Sequence, residues 1–260
     1  MLDWWLLIVF GFFIGILASM TGVGGGVFIV PILTIFYAFV VNSATGTSLT
    51  TIIFTAIAST LNYAKQKRIY YKTGLILVTT TAPGAYIGAW LATIMEEHLL
   101  GLVFGVFLIL VATRTIISEI RKKTQNKGQP VKTDTELIHS GKTIAIGVGL
   151  GFFGGVASGL LGIGGGTLIV PIMAIALGMP IHYATATSMF TMIFTSISAV
   201  TKYYQSNLIN FPVALTLAAG SIVGAQVGAY TSKKLSGRNL TLIFGIILII
   251  AGINMIIKYM

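Results

Sequence analysis

The chain has 260 residues, 55% of them hydrophobic and only 8% charged, with a mean hydropathy of +0.94. A soluble domain carries about 25% charged residues, so a soluble globular protein is excluded and a polytopic membrane protein is expected. The net charge is +10, but the cations sit in short loops beside apolar runs, where they set orientation rather than bind nucleic acid. Cysteine is absent, which excludes disulfides, thiolate metal sites and sulfur relays.

The N-terminal run MLDWWLLIVFGFF lacks a basic n-region, and no small-x-small cleavage site precedes Met20. It reads as a retained first membrane helix with Trp4 and Trp5 at the interface. Ten apolar helical segments follow the hydropathy. In the first half they lie at about 3–20, 27–41, 45–63, 73–95 and 99–117, and in the second at about 143–160, 167–179, 185–203, 211–231 and 240–257. The last of them, Leu240–Ile257, has no charged residue and is long enough to cross ~30 Å of hydrocarbon. The first two segments of each half are separated only by a Gly-rich stretch, so they are either a re-entrant pair or two full spans. The longest polar stretch, about Ser118 to Lys142, reads as a loop. The expected organisation is repeat one over 1–118, a cytoplasmic linker over 119–141, and repeat two over 142–260.

The two halves are one unit written twice. MTGVGGGVFIVPIL at Met20–Leu33 returns 140 residues later as LLGIGGGTLIVPIM at Leu160–Met173, with eight of fourteen positions identical. ATGTSLTTIIFTAIASTLNY at Ala44–Tyr63 aligns in the same register with ATATSMFTMIFTSISAVTKY at Ala184–Tyr203, with ten of twenty identical. Gly84, Ala85, Gly88 and Ala89 match Gly224, Ala225, Gly228 and Ala229. A two-fold repeat with a broken segment in each half is the pattern of a secondary transporter whose site lies between the repeats.

Charges orient the chain. Lys65–Lys72 carries four Lys or Arg, Arg114–Lys142 seven and Lys233–Arg238 three, together fourteen of sixteen cations. With both termini outside, all three loops, the central linker among them, are cytoplasmic. Matched loops differ in character: KQKR after the third segment corresponds to QSNLINFP after the eighth, and Glu96–Glu97–His98 corresponds to KKLSGR. Homologous loops therefore lie on opposite sides, so the fold expected is all-α with two inverted-topology repeats of five segments.

Two constellations could hold a ligand. Gly22, Gly24, Gly25 and Gly26, then Pro31, recur as Gly162, Gly164, Gly165, Gly166 and Pro171. Contiguous glycines disfavour helix, and non-helical backbone survives in a membrane only where protein or a watery cavity satisfies it. If helices restart at Val27 and Thr167, their free N–H groups and dipoles favour an anion. The bland reading is close helix packing. Thr45, Thr47 and Ser48, matched by Thr185, Thr187 and Ser188, open a hydroxyl stripe that continues through Thr51 and Thr55, and through Thr191 and Thr195. Such hydroxyls can donate to an oxyanion without a fixed charge; otherwise they bond back to their own helix. Thr21, Thr51, Gln226 and Lys202 are candidate pathway residues, although Lys202, near a segment end, also suits snorkelling.

Other chemistry finds no support. No Asp, Glu or His lies at a segment midplane, so neither a carboxylate proton relay nor an intramembrane enzyme has its residues. No catalytic residue, metal site or cofactor is expected. GLGFFG at Gly149–Gly154 lacks any βαβ context, and Gly141–Lys142–Thr143 lacks the first P-loop glycine. Small-xxx-small faces such as Gly11/Gly15, Gly84/Gly88, Gly101/Gly105, Gly147/Gly151/Gly155/Gly159 and Gly220/Gly224/Gly228 should pack helices within the protomer, with one of them a candidate homodimer face.

The duplicated G-x-G-G-G-x-x-x-V-P pattern at Gly22–Pro31 and Gly162–Pro171, with A-T-x-T-S at Ala44–Ser48 and Ala184–Ser188, resembles the TauE/SafE-type sulfite exporter family. The resemblance covers nearly the whole chain except the 118–142 loop. It implies transport of sulfite, sulfoacetate, another organosulfonate or a related sulfur anion across the cytoplasmic membrane. The expectation is a secondary exporter working by alternating access. An anion channel with the same pathway, or an importer of a related sulfur anion, are the alternatives.

Overall fold

The computed structural model describes residues 4–121, 141–232 and 238–260. Most of the expected 119–141 linker and of the basic 233–238 loop thus lies outside the described residues. Among the described residues there are ten helices and no strand. They are α1 (Trp4–Thr21), α2 (Gly26–Phe36), α3 (Val41–Lys65), α4 (Tyr71–Ile94) and α5 (Glu97–Arg121) in the first half. In the second half they are α6 (Gly141–Leu161), α7 (Gly166–Pro171, continued by a π-helical turn over Ile172–Ala176), α8 (Ile181–Gln205), α9 (Phe211–Thr231) and α10 (Arg238–Tyr259). Six of them are long and apolar enough to cross a membrane over their described residues.

α2 and α7 are different. α2 has 11 residues, which at 1.5 Å per residue is about 16 Å, roughly half of the ~30 Å hydrocarbon thickness. α7 with its π turn is equally short. Each is about half the length of a full span. The apolar run 27–41 suggested a longer α2, but the helix stops at Phe36 and Ala38 takes a left-handed φ of 54°. Pro31 and Pro171 lie inside α2 and α7, where each removes one helical N–H and weakens the continuation.

Packing is between halves as much as within them. α1 lies along α9, and α6 lies along α4; α3 and α8 pack on each other, α3 also on α9 and α8 also on α4; α5 pairs with α10. α3 and α8 are the most buried of the spanning helices, while α1 and α5 are the most exposed. Exposed positions on the outer helices are largely apolar, among them Phe13, Leu110, Phe153 and Ile250. Such a surface is a liability in water and is what lipid requires.

Lipid is as apolar as Leu, so close van der Waals fit and hydrogen bonds hold the helices together. The small-xxx-small faces serve that fit. A methyl group on Gly15 would strike the Ser221 backbone, on Gly84 the Phe152 carbonyl oxygen, and on Gly155 and Gly159 the carbonyls of Thr81 and Ala85. Gly220, Gly224 and Gly228 meet the carbonyls of Ile8, Phe12 and Ile16, and Gly101 meets the Tyr259 ring. These faces are therefore occupied inside one chain. At one end, Lys258 Nζ donates to the Thr34 carbonyl (2.6 Å) in the last turn of α2, and the Tyr259 hydroxyl donates to Glu97 Oε1 (3.0 Å).

Candidate functional site: two facing glycine turns

Each glycine stretch is a turn between helices, and its backbone explains its composition. Gly22, Gly24 and Gly25 have φ of 76°, 88° and 90°; Gly162, Gly164 and Gly165 have 68°, 76° and 85°. A residue with a Cβ pays about 1–2 kcal/mol for that left-handed conformation. Gly25 and Gly165 are the N-cap residues of α2 and α7 and offer no side-chain cap.

Backbone bonds tie the ends of each turn but not its middle. Gly22 and Val23 donate to the Ala18 carbonyl, and Phe28 and Ile29 donate to that of Gly25. The second turn repeats this: Gly162 donates to Ser158, and Leu168 and Ile169 donate to Gly165. Among the described residues the N–H groups of Gly24, Gly25, Gly26 and Val27 find no acceptor, nor do those of Gly164, Gly165, Gly166 and Thr167. All eight residues are buried. Buried, unpaired N–H groups are costly, and a left-handed glycine followed by a helical one, as at Gly25–Gly26 and Gly165–Gly166, is the conformation that gathers successive N–H groups on one side.

The turns face each other. A methyl on Gly26 would run into the Gly162 carbonyl oxygen, and one on Gly166 into that of Gly22. Gly22 lies against Thr185, and Gly162 against Thr45. Every one of these contacts recurs when each residue is exchanged for its mate 140 positions away, which is the pattern of a two-fold relation between the halves.

The Ser/Thr clusters brace the turns. Ser48 Oγ donates to the Gly162 carbonyl (2.8 Å) and Ser188 Oγ to that of Gly22 (3.0 Å). Thr47 Oγ1 accepts from Asn210 N–H, and Thr187 Oγ1 from Tyr70 N–H, both at 3.0 Å. Deeper along the stripe, Thr55 Oγ1 pairs with Ser221 Oγ (2.8 Å) and Thr195 Oγ1 with Thr81 Oγ1 (3.1 Å). The buried Tyr63 and Tyr203 hydroxyls reach back to the carbonyls of Ser19 (2.6 Å) and Gly159 (2.9 Å), just before the turns. Ser48 and Ser188, expected from sequence to face a ligand, instead give their protons to the opposite turn. Three buried hydroxyls beside the turns have no partner: Thr45 Oγ1, Thr167 Oγ1, and Ser158 Oγ, which lies against Gly165.

The remaining candidates are spread out. Thr51 is buried and bonds the carbonyls of Thr47 (3.1 Å) and Ala214 (3.2 Å). Thr21 is half-buried and bonds back to Leu17 (2.8 Å). Gln226 is on an exposed face of α9, donating to the Ala58 carbonyl (2.8 Å) and accepting from Asn62 Nδ2 (3.0 Å). Lys202 is half-buried in the last turn of α8. Sequence reasoning missed Ile52 and Met192, which touch both turns. The available signal was a break in identity: within T-x-I-F-T-x-I at 51–57 and 191–197, only 52/192 and 56/196 differ.

Comparison with known proteins agrees with this architecture. The family model described as "Sulfite exporter TauE/SafE" matches residues 7–255. A Bacillus subtilis protein named "Probable membrane transporter protein YunE" is 33% identical over 96% of this chain and 96% of its own length. A Methanocaldococcus jannaschii protein, also named a probable membrane transporter protein, is 30% identical over 97% of this chain and 95% of its own. No solved structure matches. With a family match over nearly its whole length and relatives of the same size named as transporters, this multi-pass membrane protein belongs to the TauE/SafE sulfite exporter family.

Proposed function

We propose that the chain is a secondary transporter that exports a small sulfur oxyanion, such as sulfite or an organosulfonate, across the cytoplasmic membrane. The observation that carries this reading is the pair of buried glycine turns, facing each other, with eight N–H groups that lack acceptors. A sulfonyl group bears two or three acceptor oxygens, and neutral donors hold it without the strength of an ion pair, so it can leave. Burial of both turns favours alternating access over an open channel. The repeats are read as inverted, with loops 65–72, 114–142 and 233–238 in the cytoplasm, because those loops hold fourteen of the sixteen cations. Rocking of one repeat on the other would then expose the turns to each side in succession.

Membrane potential supplies the direction. A monovalent anion leaving an inside-negative cell gains roughly 2.3 kcal/mol per 100 mV, equivalent to about a fifty-fold concentration ratio. Export therefore needs no nucleotide.

The test is efflux from liposomes that hold the purified protein and are loaded with sulfite, sulfoacetate, taurine or sulfate, under an imposed potassium diffusion potential. Saturable efflux of one sulfur anion, faster with the inside negative, supports the reading. Unitary conductance would replace the transporter by a channel, and uptake dependent on a proton or sodium gradient would replace export by import. No flux of any sulfur anion would overturn the substrate assignment.

A further inference from the structure

Ile52 on α3 and Met192 on α8 are mates 140 residues apart, both fully buried, and both lie between the glycine turns. A methyl on Gly24 would come 2.7 Å from Met192 Sδ and 3.5 Å from Ile52 Cγ2. One on Gly164 would come 3.0 Å from Ile52 Cγ2 and 3.1 Å from Met192 Sδ. One on Gly166 would come 2.6 Å from the Met192 methyl. Met192 thus spans from the turn of repeat one to that of repeat two, against residues whose N–H groups have no acceptor. Gly24–Val27 and Gly164–Thr167 are all buried with Met192 in this position.

The two mates differ in the property that matters for a gate. Isoleucine is β-branched and held to one strongly preferred χ1 on a helix. Methionine is unbranched, with three rotatable bonds in its side chain, and adapts its shape at low cost. Its thioether is only a weak hydrogen-bond acceptor, so it is a poor partner for backbone N–H groups of the glycines it packs against.

We propose that Met192 is the gating side chain of the pathway: it closes over the free N–H groups of both turns in this occluded arrangement and swings aside to admit the anion, with Ile52 as the fixed wall. The inference rests on the reading that the turns hold the anion.

The chain has no native cysteine, so Met192→Cys creates the sole thiol in an otherwise unaltered protein. Reconstituted Met192→Cys is treated with a membrane-impermeant, sulfonate-bearing methanethiosulfonate from either face, with and without sulfoacetate. Leu108→Cys, at a buried position on α5, is the control. Gate opening predicts labelling at least about tenfold faster at 192 than at 108, slowed by the transported anion. Met192→Leu keeps the apolar bulk but adds a branch, and its turnover should fall several-fold with KM nearly unchanged, as expected when a conformational step limits rate. Labelling at 192 no faster than at 108, or wild-type turnover in Met192→Leu, overturns the gate. Rapid labelling that no sulfur anion slows keeps the gate and overturns the anion reading instead.

Discussion

Gly26→Ala isolates the contact between the repeats. Gly26 is the first residue of α2, and its φ is not in the left-handed region, so alanine brings no conformational strain of its own. The new methyl would instead enter the Gly162 carbonyl oxygen and come 2.7 Å from Ile163 Cα. Both are backbone atoms, which cannot rotate away, so the turns must separate. Overpacking of this kind costs about 1–3 kcal/mol. Gly149→Ala is the same chemical change in the middle of α6, exposed and with nothing within 4 Å of the added carbon. There alanine stabilises by about 0.4–1 kcal/mol. The two variants should differ by about 1.4–4 kcal/mol, and at roughly 2–4 °C per kcal/mol their melting temperatures in detergent should be separated by about 3–16 °C. Gly166→Ala, facing the Gly22 carbonyl, should fall with Gly26→Ala. Thermal unfolding followed by intrinsic fluorescence reads all three. Equal melting temperatures for Gly26→Ala and Gly149→Ala would refute the facing-turn geometry.

Ser48→Ala and Ser188→Ala each strip a donor from a buried glycine carbonyl of the other repeat, and each should cost about 1 kcal/mol in the same melting assay. Thr45→Val removes a buried hydroxyl that has no partner, so the melting temperature should hold or rise while sulfite efflux falls; a lower melting temperature would show that Thr45 has a structural partner. Tyr63→Phe and Tyr203→Phe remove matched bonds to the carbonyls of Ser19 and Gly159, so their losses should agree within about 0.5 kcal/mol of each other and sit near 1 kcal/mol.

Much of this architecture was legible because the chain repeats itself. The 140-residue register named Gly22–Gly26 with Gly162–Gly166, and Thr45–Ser48 with Thr185–Ser188, as equivalent positions before any fold was known. It could not say what each faces. Ser48 looked like a ligand donor because a hydroxyl in an apolar helix needs an acceptor; only the fold shows that the acceptor is the Gly162 carbonyl, 114 residues away. The length of α2 was hidden because Tyr37–Val41 continues the apolar run, and hydropathy does not register the left-handed turn at Ala38. Met192 was easily passed over for a related reason: an apolar residue in an apolar helix has no compositional contrast, and only the break in identity with Ile52 marks it. The small-residue faces suggested contacts without naming partners, and the fold assigns them to α1 with α9, α4 with α6 and α5 with α10.

The central claim, that the two glycine turns hold the anion, is tested most directly by locating a heavy analogue. Selenite has the charge and shape of sulfite and scatters anomalously. A crystal of the protein grown with selenite should show one anomalous peak within hydrogen-bond reach of the N–H groups of Gly24–Val27 or Gly164–Thr167, with the Met192 side chain displaced from between the turns. A peak elsewhere, or turns that remain filled by Met192 in crystals of protein that transports selenite, would contradict the account.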